Sequence, residues 1–196
     1  MNRILSILVA FVLPLVAVAQ TGTYTLDATT STIGWLGKKV TGQHSGNVRF
    51  AGGTVTTQGG KLTGATLEID MNSITCTDIT DKELNGKLIG HLKSDDFFGV
   101  ANHPKAKLVV KKVEAGSTAD TYVLVADVTI KGKTNEVRIP VTVKVKGKSL
   151  TATANFTLDR SKWDIRYGSK SFFNDLGDRM IYDEFELAIN LTASQK

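Results

Sequence analysis

The chain has 196 residues, 24 of them basic and 19 acidic, for a formal net charge of +5, and a single cysteine. That length suits one domain, and one cysteine excludes an intrachain disulfide framework, so stability must come from an apolar core. The modest basic excess, without basic loops interleaved with aromatics, speaks against nucleic acid as a partner.

Residues 1–19 read as a secretory leader. Met1-Asn2-Arg3 is a short positive start, Ile4 to Val16 is nearly uninterrupted apolar sequence, and Ala17-Val18-Ala19 is a small-x-small site. The pattern predicts cleavage after Ala19 and a periplasmic or secreted location. The apolar run is short for a membrane span, and Gln20 rather than cysteine follows it, which argues against a lipid anchor. Residues 20–196 are then expected to form a single domain.

Weak strand signals lie near 23–27, 32–39, 46–52 and 54–57, punctuated by Gly52-Gly53 and Gly59-Gly60. A clean alternation follows at 63–71, where Ala65, Leu67, Ile69 and Met71 oppose Thr66, Glu68 and Asp70. Period-2 alternation marks a strand with one dry and one wet face, the antiparallel arrangement. After a break at 78–99 the pattern resumes at 106–113, then at 122–131 through Tyr122, Leu124, Ala126, Val128 and Ile130. From 137 the apolar set is Val137, Ile139, Val141, Val143 and Val145; Pro140 falls on the outward set and suits an edge, a bulge or a seam. From 150 it is Leu150, Ala152, Ala154, Phe156 and Leu158, and the last strand carries Phe185, Leu187, Ile189 and Leu191. About nine long strands predict an all-β fold, an antiparallel barrel of about eight strands or a sandwich. Ala152 and Ala154, small and inward, suggest spare interior volume, and a barrel of this size either fills with side chains or holds one small ligand.

The break at 78–99 reads as a short helical insertion. Thr80-Asp81-Lys82-Glu83 has capping-box spacing, and Leu84, Leu88 and Leu92 form a helical stripe. Gly86 and Gly90 weaken that helix and predict an end near Gly90 to His91. Ser94-Asp95-Asp96 then presents Phe97 and Phe98. A second irregular segment, 161–179, carries Trp163, Ile165, Tyr167, Phe172 and Phe173, which either pack onto the barrel or rim a binding mouth.

Catalytic motifs do not emerge. The sequence has no G-x-S-x-G elbow, no phosphate-binding glycine loop and no H-E-x-x-H, so neither an enzyme nor a cofactor protein is expected. His44, His91 and His103 lack the spacing of a metal site, and only folding would bring one near Cys76 or Asp96. Cys76 reads as a small packed hydrophobe, with a thiol pairing two chains as the alternative. The strand lysines Lys111, Lys112, Lys131, Lys133, Lys144, Lys146 and Lys148 read as solvated outer faces, with attraction to anionic headgroups as the alternative.

Several blocks resemble the YceI-like, polyisoprenoid-binding family of exported bacterial proteins. They are His91-Leu-Lys-Ser-Asp-Asp-Phe-Phe98 leading to His103-Pro104, Ala126 to Gly132 followed by Val137-Arg-Ile-Pro-Val141, Leu176-Gly-Asp178, the opening Tyr24-Thr-Leu-Asp27, and Ser73-Ile74. The resemblance implies a lipocalin-like barrel around an elongated cavity that binds a long isoprenoid or similar lipid chain. Members are periplasmic or secreted, and some form homodimers. Two features depart from the family pattern: His103 stands where an aromatic precedes the proline, and the segment from Ile74 to His91 is longer and lacks an arginine-rich helix start. Both lie near the expected mouth, so headgroup preference does not carry over.

On this reading the ligand-facing set is Trp35, Phe50, Leu67, Ile69, Met71, Leu124, Val128, Ile139, Val141, Ala154 and Phe156. Leu88, Phe97 and Phe98 form a lid, and Trp163, Phe172 and Phe173 a rim. The expected role is an exported lipid carrier or sequestering protein, with transient membrane-surface contact and a homodimer left open. The rival is a non-catalytic module that docks a protein partner through the loop 161–179. An enzyme acting on a prenyl pyrophosphate lacks a base–nucleophile pair.

Overall fold

The computed structural model describes residues 20–195; the leader expected at 1–19 lies outside the described residues. The elements run β1 (Thr21–Leu26), β2 (Thr32–Lys39), β3 (Gly42–Gln58), β4 (Lys61–Cys76), α1 (Lys82–Lys93), β5 (Lys105–Ala115), β6 (Thr121–Ile130), β7 (Lys133–Lys146), β8 (Ser149–Asp159) and β9 (Ile181–Ser194). The sheet order is β1-β3-β2-β9-β8-β7-β6-β5-β4, every pairing is antiparallel, and β4 returns to pair with β3. The result is a closed eight-stranded antiparallel barrel with one extra strand, as the alternation predicts.

The extra strand has a simple origin. β1 pairs with the second half of β3 (Thr25↔Thr54) and with the end of β9, whereas β2 pairs with the first half of β3 (Ile33↔Val48) and the start of β9. β1 and β2 therefore share one position in the wall, interrupted at residues 27–31. Ser31 repairs the interruption: its hydroxyl donates to the Thr192 carbonyl and accepts from the Thr192 N–H. The two weak signals at 46–52 and 54–57 merge into β3, whose ladder with β4 shifts register between Asn47 and Arg49, between Phe50 and Gly52, and between Thr56 and Thr57. Such irregularities bend long strands and help a sheet close. Gly53 permits one bend, since a Cβ there would lie 2.6 Å from the Thr66 carbonyl oxygen.

Inward side chains divide the barrel into two halves. At the end holding the β3–β4 and β7–β8 turns, Tyr24, Val55, Leu62, Val143, Leu150, Leu191 and Ala193 are buried in continuous contact. The opposite end carries α1, the β2–β3 hairpin and the long β8–β9 connection. On that side β7 and β8 stop pairing beyond Thr142↔Thr153, and a short 3-10 turn, Arg160–Trp163, packs against β7 and β9. Pro140 sits in this unpaired stretch of β7, where its missing N–H takes no hydrogen bond from the β8 ladder. Trp163 is fully buried in the seam and donates its indole N–H to the Val128 carbonyl at 3.0 Å.

Helix α1 begins one residue later, and ends further on, than the sequence pattern predicts. Asp81, not Thr80, is the N-cap, its carboxylate accepting from the Leu84 N–H at 2.9 Å. The helix runs through both glycines to Lys93 and is capped by Ser94. Gly86 and Gly90 stand one turn apart with nothing around them, while Ile89 and Leu92 pack onto the core. Tertiary packing of the inner face outweighs the low propensity of the two glycines. Gly86→Ala and Gly90→Ala are accordingly expected to stabilise the protein by about 0.5–1 kcal/mol each. Urea-unfolding midpoints measure this, and a loss of stability would show that these positions are not open helix surface.

Candidate functional site

The capped half of the barrel holds a cavity of about 230 Å3 that opens at its mouth. Strands supply its wall through Ile33, Trp35, Val48, Phe50, Leu67, Ile69, Met71, Ile74, Ala106, Leu108, Val128, Ile130, Phe156, Leu158, Phe185, Leu187 and Ile189. Leu88 and Leu92 of α1, with Phe97 and Phe98, cover it, and Lys38, Lys39, His44, Tyr182 and Glu184 stand at its edge. Its wall is almost wholly apolar, which suits an apolar guest.

Ten of the expected contact residues line this space: Trp35, Phe50, Leu67, Ile69, Met71, Leu88, Phe97, Phe98, Val128 and Phe156. Leu124, Ile139, Val141 and Ala154 face inward but are buried in the core and are not among the lining residues. Ala152 is not among the lining residues either, so neither of the two small residues borders the space. Trp163 is in the β7–β8 seam, and Phe172 and Phe173 are exposed, Phe172 lying under the Arg166 guanidinium at 5.0 Å. Leu84, the first residue of the expected stripe, points to solvent.

Trp35 owes its place to a glycine. Gly46 is its direct partner on β3, and a Cβ at Gly46 would collide with the Thr75 carbonyl and lie 2.8 Å from the indole. The bare backbone lets Trp35 reach across β3 and donate its Nε1–H to the Thr75 carbonyl on β4 at 3.1 Å. One large, half-buried ring is thus pinned in the cavity wall.

Arg160 is the residue that sequence patterning does not reveal. It lines the cavity, is 4% exposed, and has its guanidinium 5.7 Å from the Phe97 ring centroid. Its nitrogens donate to the carbonyls of Tyr182 (3.2 Å), Ile165 (3.0 Å), Tyr167 (2.8 Å) and Ile181 (3.1 Å), tying the β8–β9 connection to the start of β9. Asp183, equally buried, lies 3.3 Å away as an ion pair. Its Oδ2 accepts from the Ser171 hydroxyl, and Oδ1 has no hydrogen-bond donor among the described residues. Burial pulls the guanidinium below its ordinary range, while Asp183 and Asp159 oppose that shift. The same connection presents Tyr167 to His91, ring centroids 4.4 Å apart, and His91 meets Phe97 at 4.9 Å. The two irregular segments of the sequence therefore meet over one end of the cavity.

At the other side of the mouth, His44 of β3, Cys76 of β4 and Asp78 ahead of α1 converge. Asp78 Oδ2 lies 2.8 Å from His44 Nδ1, and Oδ1 accepts from the Ser45 N–H (2.8 Å) and from the Cys76 thiol (3.2 Å). Partial burial pushes the Asp78 carboxyl up, but hydrogen bonds from Ser45, His44 and Cys76 outweigh it and hold it at about 2. Burial pushes the Cys76 thiol up, so it is not a primed nucleophile.

The YceI-like domain family matches residues 24–193, and the chain belongs to that family. No curated protein matches it closely enough to count. Among solved structures it is similar to BcnA of Burkholderia cenocepacia, with a TM-score of 0.68 at 24% identity over 86% of this chain and 99% of that one. A polyisoprenoid binding domain from Saccharophagus degradans, implicated in plant cell wall breakdown, gives 0.64 at 17% identity over 88% and 98%. The YCEI protein of Campylobacter jejuni gives 0.54 at 17% identity over 70% and 75%. These likenesses establish the shared barrel fold.

Two outcomes test the geometry of the mouth. Arg160→Ala leaves Asp183 buried without its cation, an arrangement that costs about 3–5 kcal/mol. Urea unfolding should show that loss, and a change below about 1 kcal/mol would mean the pair does not organise the connection. Asp78, depressed from an ordinary 3.8 to about 2, contributes stability that is complete above about pH 4 and is lost as pH falls through about 2. The stability difference between the protein and Asp78→Asn should therefore shrink between pH 4 and 2; a difference that is flat with pH would contradict the assignment.

Proposed function

We propose that the protein binds one long-chain isoprenoid or similar lipid, tail in the cavity, and acts as an exported carrier or sequestering protein. The observation that carries this reading is an apolar cavity of about 230 Å3 whose charged groups lie chiefly at its edge. Membership of the YceI-like family supports it, as does the likeness to a structure described as a polyisoprenoid binding domain. Export rests on the leader pattern of residues 1–19. The driving force is apolar burial: ~500 Å2 of hydrocarbon at ~25 cal/mol per Å2 favours the complex by about 12 kcal/mol gross. Lost translational freedom and ordering of a flexible chain take back a large part, which leaves micromolar to nanomolar affinity.

The cover suits entry of such a chain. Leu88, Leu92 and Phe98 are only half-buried, so the middle of α1 can shift without exposing the packed half of the barrel, while buried Phe97 and Val100 hold the segment after it. Exposed Tyr167, Phe172 and Phe173 lie on the connection at the same end and offer contact to a membrane surface during loading. A docking module using those aromatics is the second reading; under it the cavity is incidental.

Ala106 separates the two readings, because it is buried, small and part of the cavity wall. Ala106→Trp should put an indole into the space, cost about 1–3 kcal/mol of stability through overpacking, and lower affinity for a fluorescent prenyl probe at least tenfold. Phe173→Ala should leave probe affinity within twofold. Normal probe binding by a folded Ala106→Trp variant would rule the cavity out as the binding site.

A further inference from the structure

We propose that His44, Cys76 and Asp78 form a binding site for a zinc-class divalent transition-metal ion at the edge of the cavity. The three side chains come from the start of β3, the end of β4 and the loop before α1. One ligand atom from each lies within 4.8 Å of the others. A tetrahedral zinc site, with metal–ligand distances of ~2.0–2.3 Å, needs its donors about 3.3–3.8 Å apart. His44 Nδ1 lies 2.8 Å from Asp78 Oδ2 and the Cys76 sulfur 3.2 Å from Oδ1, so the carboxylate stands between the other two donors, and a small rotation that offers one oxygen to both brings the set toward that spacing.

The donor set selects the class of ion. Imidazole nitrogen, sulfur and one carboxylate oxygen suit zinc and its borderline-soft neighbours, whereas calcium and magnesium take oxygen ligands. Binding converts the Cys76 thiol to a thiolate, whose proton goes to solvent, and moves the His44 proton from Nδ1, where it faces Asp78, to Nε2 by exchange with solvent, which frees the Nδ1 lone pair for the metal. Access and support are both present. The His44 and Asp78 side chains are about one-third exposed (33% and 34%), while Cys76 is buried and held from behind. Asn85 Nδ2 donates to the Cys76 carbonyl at 3.0 Å, and the Ser45 N–H fixes Asp78 Oδ1. Outer contacts of this sort orient ligands before a metal arrives. Three protein ligands leave a fourth position for water. This site and the lipid cavity are independent claims, and either can fail alone.

Cobalt(II) added to chelator-treated protein is the direct test, because a bound thiolate adds a sulfur-to-cobalt charge-transfer absorption and tetrahedral geometry strengthens the visible bands. The protein should show both, and zinc should displace the cobalt and abolish them. In competition titration with a chromophoric chelator, Cys76→Ser and His44→Ala should each lose more than ~100-fold in zinc affinity, beyond the ~10–100-fold typical of an outer contact. His91→Ala, which removes the other histidine near a carboxylate, should change it less than twofold. Absence of the sulfur-to-cobalt band, or zinc affinity unaltered in His44→Ala, would overturn the proposal. His44 is partly exposed and on the edge of the fold, so its removal does not depend on Cys76→Ser folding. In that outcome the three residues are a hydrogen-bonded tie between strand ends.

Discussion

An eight-stranded barrel has an interior of nearly fixed width, and everything else here depends on how far side chains fill it along its length. In one half they fill it. Tyr24, Leu62, Leu150 and Leu191 meet across the axis, and that half supplies the core a protein without disulfides requires. In the other half the wall is equally apolar, but space remains between Trp35, Phe50, Phe156 and Phe185. The division lets one chain combine a rigid foundation with an accessible interior. A cavity forgoes dispersion contacts, and the packed half is where that loss is made good.

The cavity end is closed by elements that are not strands, and one buried cation organises them. Arg160 binds four carbonyls, two in the β8–β9 connection and two at the start of β9, which holds the connection back over the barrel. An apolar side chain of the same length would supply none of those donors. The desolvation of Arg160 and Asp183 is the cost, and the two charges face each other because neither tolerates burial alone. The same guanidinium lies near Phe97, which meets His91, so the lid and the connection are coupled through a small aromatic cluster. On the opposite side the His44–Cys76–Asp78 tie joins the strand ends from which α1 departs. The lid is anchored at both its ends, and its middle, where Leu88 and Leu92 face the cavity, is held only by apolar contact.

How much of this was legible follows from what a period of two can say. Alternation in β6 to β9 told which face is dry, and the inward sets through Val128, Ile139 and Phe156 are as read. It carries no information on depth along the barrel axis, so Leu124, Val141 and Ala154 share the inward pattern of Phe156 although they lie in or beside the packed half. Two further features were hidden for the same reason: each is a long-range pairing. β1 and β2 share one wall position only because β3 is long enough to hold both. Arg160, a lone basic residue at a strand end, resembles a solvated charge until the connection folds over it. Gly86 and Gly90 show the reverse case, local propensity predicting a helix end that packing overrides.

Native mass spectrometry of the protein purified from its own host, before and after organic extraction, tests the central claim most directly. The account predicts a single excess mass, of the size of one long-chain lipid, that extraction removes while the fold survives. A bare polypeptide mass that stays bare after incubation with prenyl lipids would contradict it.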